Sequence, residues 1–169
     1  IGMSGLSLIM KGQGFKVQGS DIANNKNIDR LKQEKIKFFL GHSKKNLKDA
    51  TIVVISSAIK NTNPELIEAK RKKIPIIKRG EMLASIVSLM KNIVVVGSHG
   101  KTTTTSLITS IFQETKIDPT IINGGVINSL KNSARLGKSD WSILESDESD
   151  GSFTKVPPTY AVVTNIDRE

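Results

Sequence analysis

Residues 92–115 constrain the fold of this chain more than any other stretch. Four apolar residues, Ile93-Val94-Val95-Val96, run into Gly97-Ser98-His99-Gly100-Lys101-Thr102. A segment of helical periodicity follows from about Thr102 to Thr115, with Leu107, Ile108, Ile111 and Phe112 on one stripe. The apolar run reads as a strand buried on both faces. Strand, glycine loop, Lys-Thr and helix together form an arrangement that holds phosphates. The glycines let backbone N–H groups point inward, and the helix turns its positive end toward the anion. Lys101 then reaches the outer phosphates and the Thr102 hydroxyl sits on a magnesium ion. The eight-residue form of this loop needs glycine where the chain has Val95, so the loop is a shorter variant. The bland alternative is a tight strand-to-helix turn with a solvated Lys101. Context favours a nucleoside triphosphate site, for ATP with magnesium, at Gly97, Ser98, His99, Gly100, Lys101, Thr102 and Thr103.

The same alternation runs through the rest of the chain. Gly2–Gly12, Ile28–Lys35, Pro64–Lys73 and Glu81–Met90 read as helices. Pro64 suits a first helical turn, and the basic residues before Ile74 suit a last one. Lys16–Gly19, Ile36–Leu40, Thr51–Ile55, Ile74–Lys78, Thr120–Ile122, Ser142–Leu144 and Tyr160–Thr164 read as strands, with Thr51–Ile55 buried on both faces. Strands alternating with helices predict an α/β fold with a largely parallel sheet. A second unit begins near Asn92, which predicts one domain over 1–90 and another over 91–169.

Two further stretches carry chemistry. Glu145-Ser146-Asp147-Glu148-Ser149-Asp150 leaves a strand with four carboxylates in six residues. Ligands of parallel sheets gather beyond the carboxyl ends of strands. A phosphate-bound magnesium takes one or two protein oxygens besides water. Glu145 is the best placed of these carboxylates; the alternative is a solvated acidic turn. At the N-terminus, Gly2-Met3-Ser4-Gly5 opens a helix and a strand then ends at Asp21. This looks like the tail of a glycine-rich nucleotide-binding turn whose first strand is missing. Packing glycines and a turn aspartate explain it equally well.

Composition narrows the classes. Cysteine is absent, which excludes disulfides and thiolate metal sites. No apolar run is long enough to cross a membrane, and no signal peptide opens the chain; a cytoplasmic enzyme fits. The net charge of +9 attracts anionic partners or reflects lysines scattered over solvated faces. One Trp, one Tyr and five Phe that are not interleaved with the basic residues argue against a nucleic-acid platform. The chain opens at Ile1 without Met and stops after a strand-like run, so both ends look cut from something longer.

Five segments in order carry a resemblance: Ile1-Gly2-Met3-Ser4-Gly5, Ser56-Ser57-Ala58-Ile59, Arg79-Gly80-Glu81-Met82-Leu83, the loop Gly97 to Thr105, and Glu145 to Asp150. Together they resemble the Mur ligases of peptidoglycan synthesis, most of all the branch that acts on UDP-N-acetylmuramate and L-alanine. The resemblance implies a Rossmann-like UDP-sugar-binding domain, less its opening strand, then the front part of a P-loop ATPase domain; the third, amino-acid-binding domain is absent. It also implies a reaction. The carboxylate of UDP-N-acetylmuramate attacks the γ-phosphate of ATP, and L-alanine then attacks the acyl phosphate to form an amide. By motif, Lys101 is catalytic, Thr102 and Glu145 bind magnesium, and Asn165 lies near the nucleotide. Gly2, Met3, Ser4, Asp21, Ser56, Ser57 and Arg135 fall on the UDP-sugar side. His99 faces the substrate or simply packs the loop. Ser98 departs from the family's threonine, and Asn132-Ser133 departs from its usual pair before Ala134-Arg135. A ligase of the recycling branch, which adds a tripeptide to the same sugar nucleotide, shares this loop. A P-loop kinase or NTPase would leave the first domain unexplained, and a dinucleotide-dependent oxidoreductase would leave Lys101, Thr102 and Glu145 unexplained. Residues 1–169 alone are expected to be inactive as a ligase.

Overall fold

A computed structural model describes residues 2–127, 132–145 and 156–167, with the backbone alone at 124–127 and 132–134. Contacts divide the chain into two compact units. One is residues 6–82; the other is residues 83–169 together with the first five.

In the first unit two α-helices are started by a specific side chain. Asn25 caps α2 (Lys26–Gln33) by accepting from the N–H groups of Asn27 and Ile28. Asn63 does the same for α3 (Pro64–Arg71), and Pro64 supplies a preset first turn. Both helices leave through a lysine at positive φ, Lys35 and Lys73. Strand β1 (Gln18–Asp21) pairs in parallel with β2 (Lys37–Leu40), and β3 (Val53–Ile55) with β4 (Ile76–Lys78). These are two separate two-stranded sheets among the described residues. Helix α1 (Met3–Gly12) buries Leu6 and Ile9. The expectation that Thr51–Ile55 is buried on both faces is corrected: β3 is half-buried and Ile52 is exposed. A strand paired along one side only has less cover than the middle strand of a wide sheet.

In the second unit, α4 (Arg79–Val87) precedes β5 (Lys91–Val96), and α5 (Lys101–Gln113) follows the loop. Five strands form one sheet in the order β7-β6-β8-β5-β9, where β6 is Thr120–Ile127, β7 Asn132–Arg135, β8 Trp141–Glu145 and β9 Tyr160–Val163. β5, β6, β8 and β9 run parallel, and β7 is an antiparallel edge. That edge was not foreseen, because Asn-Ser-Ala-Arg carries no β-branched or aromatic residue. Helix α5 packs over β5, β6 and β8. Its predicted apolar stripe is corrected: Leu107 and Ile111 are 61% and 65% exposed, whereas Thr105 and Thr109 are buried. The face toward the sheet follows Lys101, Thr105, Ile108, Thr109 and Phe112 at helical spacing, so threonines supply the contact expected of leucine. Buried Asn92 ties the base of β5 to β9. Its Nδ2 donates to the carbonyls of Met90 and Pro157, and its Oδ1 accepts from the Thr159 N–H at 2.9 Å.

Candidate phosphate-binding site

Strand order decides what meets the loop. β5 lies between β8 and β9, so the loop leaving its carboxyl end is flanked by Glu145, at the end of β8, and by the residues after β9.

The loop is glycine-dependent at two positions for different reasons. Gly97 has φ 134°, and a Cβ there would overlap Thr164 Oγ1 and stand 2.8 Å from the Asn165 carbonyl oxygen. Gly100 has φ 77° and open space around it, so its backbone conformation alone calls for glycine. Gly100 is also the N-cap of α5 and offers no side-chain cap, which leaves the N–H groups of the first turn for a ligand. Thr103 stands in that turn, exposed.

Thr164 and Asn165 grip the loop backbone. The Asn165 carboxamide exchanges two hydrogen bonds with His99: His99 N–H donates to Oδ1 at 2.9 Å, and Nδ2 donates to the His99 carbonyl at 3.0 Å. Thr164 Oγ1 lies 2.7 Å from the same carbonyl and 3.2 Å from that of Val96. The Asp167 N–H donates to Ser98 Oγ at 3.2 Å. The His99 ring is exposed, with Nε2 3.7 Å from Asp167 Oδ2.

Lys101 folds back on the loop, its ammonium 2.5 Å from the Gly97 carbonyl and 3.3 Å from that of Ser98. The positive charge is thus held over the loop that follows β5. The Thr102 hydroxyl reaches across to β8 and lies 3.0 and 3.1 Å from the two oxygens of Glu145, a largely buried carboxylate. A hydroxyl and a carboxylate at this separation are the hard oxygen donors that magnesium selects, with phosphates and water completing its shell. Asp147, Glu148 and Asp150 lie outside the described residues.

The residues expected on the UDP-sugar side are distributed differently. Asp21 ends β1 and Ser56-Ser57 follow β3, both at carboxyl strand ends. Asp21 Oδ1 accepts weakly from Ala23 N–H at 3.4 Å, and Ser56 Oγ accepts from Ala58 N–H. Gly2, Met3 and Ser4 stand at the start of α1; a Cβ on Gly2 would meet only Ser4 Oγ at 3.9 Å, so no crowding demands glycine there. Arg135 is not brought to the loop. It ends β7, opposite Ile121, and its Nη2 is paired with Asp118 Oδ1. Across the three intervening strand spacings and down the register, its backbone is about 19 Å from Gly97.

One polar cluster escaped the sequence reading. Glu65, in the first turn of α3, accepts from Ser20 Oγ at 2.7 Å, Asn46 Nδ2 at 2.6 Å and the Ser43 N–H at 3.2 Å. His42 Nδ1 lies 3.0 Å from Ser20 Oγ. The cluster sits where β1 and β2 end, beside Asp21. Asn63-Pro64-Glu65 was legible as a helix start, but the partners of Glu65 come from 19 to 45 residues away.

Known proteins resemble this chain over its whole length. Residues 1–91 match the family model described as Mur ligase family, catalytic domain, and residues 95–169 match the Mur ligase middle domain. The chain is 76% identical over its whole length to a UDP-N-acetylmuramate–L-alanine ligase of Pelagibacter ubique (strain HTCC1062). It spans 36%, about a third, of that relative's length. Among solved structures, the UDP-N-acetylmuramate-alanine ligase of Thermotoga maritima superimposes with a TM-score of 0.83 at 28% identity, over 99% of this chain and 39% of that one. The UDP-N-acetylmuramate:L-alanyl-gamma-D-glutamyl-meso-diaminopimelate ligase of Neisseria meningitides gives 0.81 at 26% identity, over 99% and 58%. Two family models in succession cover nearly every residue, and the chain belongs to the Mur ligase family.

Proposed function

We propose that this chain is the UDP-sugar-binding domain and the front of the ATP-binding domain of a cytoplasmic ligase. That ligase joins L-alanine to UDP-N-acetylmuramate at the expense of ATP. The observation that carries the reading is the convergence of Lys101, Thr102 and Glu145 at the carboxyl end of β5, beneath an uncapped helix N-terminus. The 76% identity to an alanine ligase supports the choice of amino acid.

In this reading the N–H groups opening α5 hold the phosphates of ATP. The Lys101 ammonium leaves the carbonyls of Gly97 and Ser98 and follows the γ-phosphoryl group as its charge shifts during transfer. Thr102 and Glu145 would hold magnesium, which would supply positive charge to offset that of the phosphates during transfer. The sugar carboxylate attacks the γ-phosphorus, ADP leaves, and the amine of L-alanine displaces phosphate from the acyl phosphate. Asp21, Ser56 and Ser57 stand at the strand ends where the UDP group would lie, and Gly2, Met3 and Ser4 at the helix start facing such a ligand in Rossmann-like folds. Asn165 contributes by holding His99, since its carboxamide is engaged on both atoms. Arg135 gains no support as a sugar ligand from its pairing with Asp118.

The test uses the complete protein. ADP release is followed with UDP-N-acetylmuramate plus either L-alanine or the cell-wall tripeptide. Release that depends on L-alanine supports the proposal. Release with tripeptide alone assigns the recycling branch, and release with neither removes the substrate assignment.

A further inference from the structure

Among the described residues, four side-chain atoms are buried without a hydrogen-bond partner: Thr105 Oγ1, Asn123 Oδ1, Asn123 Nδ2 and Ser142 Oγ. Asn123 is the unusual one, because both ends of its carboxamide are unpaired at 0% exposure. Each such atom carries a desolvation cost that no bond offsets, whereas an apolar side chain of similar shape carries none.

Register locates Asn123. β6 pairs with β8 through Ile121–Ile143 and Ile122–Leu144. Continuing one residue puts Asn123 beside Glu145. Alternation along the strands sets Asn123, Ile121, Ile143 and Glu145 on one face and Ser142 on the other. The face is the one under α5, because the Glu145 carboxylate meets Thr102 of that helix. Thr105, one turn below Thr102, faces the sheet from the same helix. Its hydroxyl does not bond back to its own helix, although Ser106, Thr109 and Ser110 all do.

We propose that Asn123 is a positioning residue for Glu145 in the magnesium-loaded site. The inference rests on the phosphate and magnesium site proposed above. Thr102 at present donates to Glu145. When Thr102 and Glu145 turn their oxygens to a divalent cation, that donor is lost to Glu145. Asn123 Nδ2 replaces it by donating to the carboxylate, which fixes its orientation. The unpaired carboxamide is thus a partner held in reserve. Outer partners of this kind change metal affinity by about 10- to 100-fold when removed.

The experiment compares the complete protein with N123L and N123S. Three quantities are read: the Mg2+ concentration that half-saturates ATP binding by calorimetry, the Kd for ATP in chelator, and the melting temperature without nucleotide. For N123L the Mg2+ requirement is expected to rise about tenfold or more. Its metal-free Kd should stay unchanged and its melting temperature equal or higher, since an orphaned polar group has gone. N123S keeps a small donor and should show a lesser rise; it carries the same reading if N123L does not fold. An unchanged Mg2+ requirement in a folded variant overturns the inference. So does a parallel loss of metal-free binding, or a fall in melting temperature with no change in Mg2+ response. If the unaltered protein binds no ATP with or without Mg2+, the phosphate site itself fails and the inference falls with it.

Discussion

Replacing Gly97 with alanine tests the loop geometry most directly. The new Cβ meets two separate obstacles. A non-glycine residue at φ 134° carries backbone strain of about 1–3 kcal/mol. The Cβ also overlaps Thr164 Oγ1 and crowds the Asn165 carbonyl at 2.8 Å, and forcing atoms into such a gap costs about 1–3 kcal/mol more. The loop escapes by moving, so the cost appears as lost ATP affinity rather than lost folding. Taking about 2 kcal/mol as the lower bound gives roughly a 30-fold rise in Kd. The assay is calorimetric titration of ATP with Mg2+ into the complete protein. Thr164→Ala makes the test specific. In the unaltered background it removes the hydroxyl that grips Val96 and His99 and should weaken binding. In the Gly97→Ala background it removes the clashing atom and should restore part of the affinity, with the remainder withheld by the Asn165 backbone. A sign reversal of this kind is a coupling between touching residues. Gly97→Ala with unchanged Kd, or Thr164→Ala acting equally in both backgrounds, would refute the reasoning.

The remaining predictions address other contacts. Lys101→Ala should abolish ATP turnover in the complete protein, and near-normal turnover would remove the phosphate-loop assignment. Asn92→Leu should lower stability by about 2–4 kcal/mol in chemical unfolding, because the Thr159 N–H and two carbonyls lose their buried partner. The Glu68 carboxyl is held at about 2, below its ordinary 4.5, first by its hydrogen bonds with the Arg71 guanidinium at 2.8 Å. With the folded value depressed, its contribution is complete above about pH 4.5 and is lost as pH falls toward 2. Glu68→Gln should flatten the acid limb of a melting-temperature profile across that window, lowering the melting temperature at pH 7 and changing little near pH 2. An unaltered acid limb would count against the Arg71 pairing.

Much of the fold was legible because its signals are local. Asn63-Pro64 starts a helix through groups within three residues, Ile93–Val96 is apolar throughout, and Gly-x-x-Gly-Lys-Thr places its glycines by backbone need. The same locality explains the errors. The stripe Leu107-Ile111 followed hydrophobicity, but which face α5 buries depends on the strands beneath it, and those accepted Thr105 and Thr109. The edge strand at Asn132–Arg135 is held by pairing with β6 and not by its own composition. Residue chemistry and spacing were enough to name Lys101, Thr102 and Glu145 as a set. Their meeting depends on β8 being inserted beside β5, which joins residues 43 apart. The grip of Thr164 and Asn165 on the loop spans 65 to 68 residues, and Asn123 is set beside Glu145 only by the β6–β8 register. Local sequence dictates where a phosphate can bind, because backbone conformation and helix ends are short-range properties. The sheet order decides which side chains surround that phosphate, because strand neighbours are chosen by packing of the whole unit.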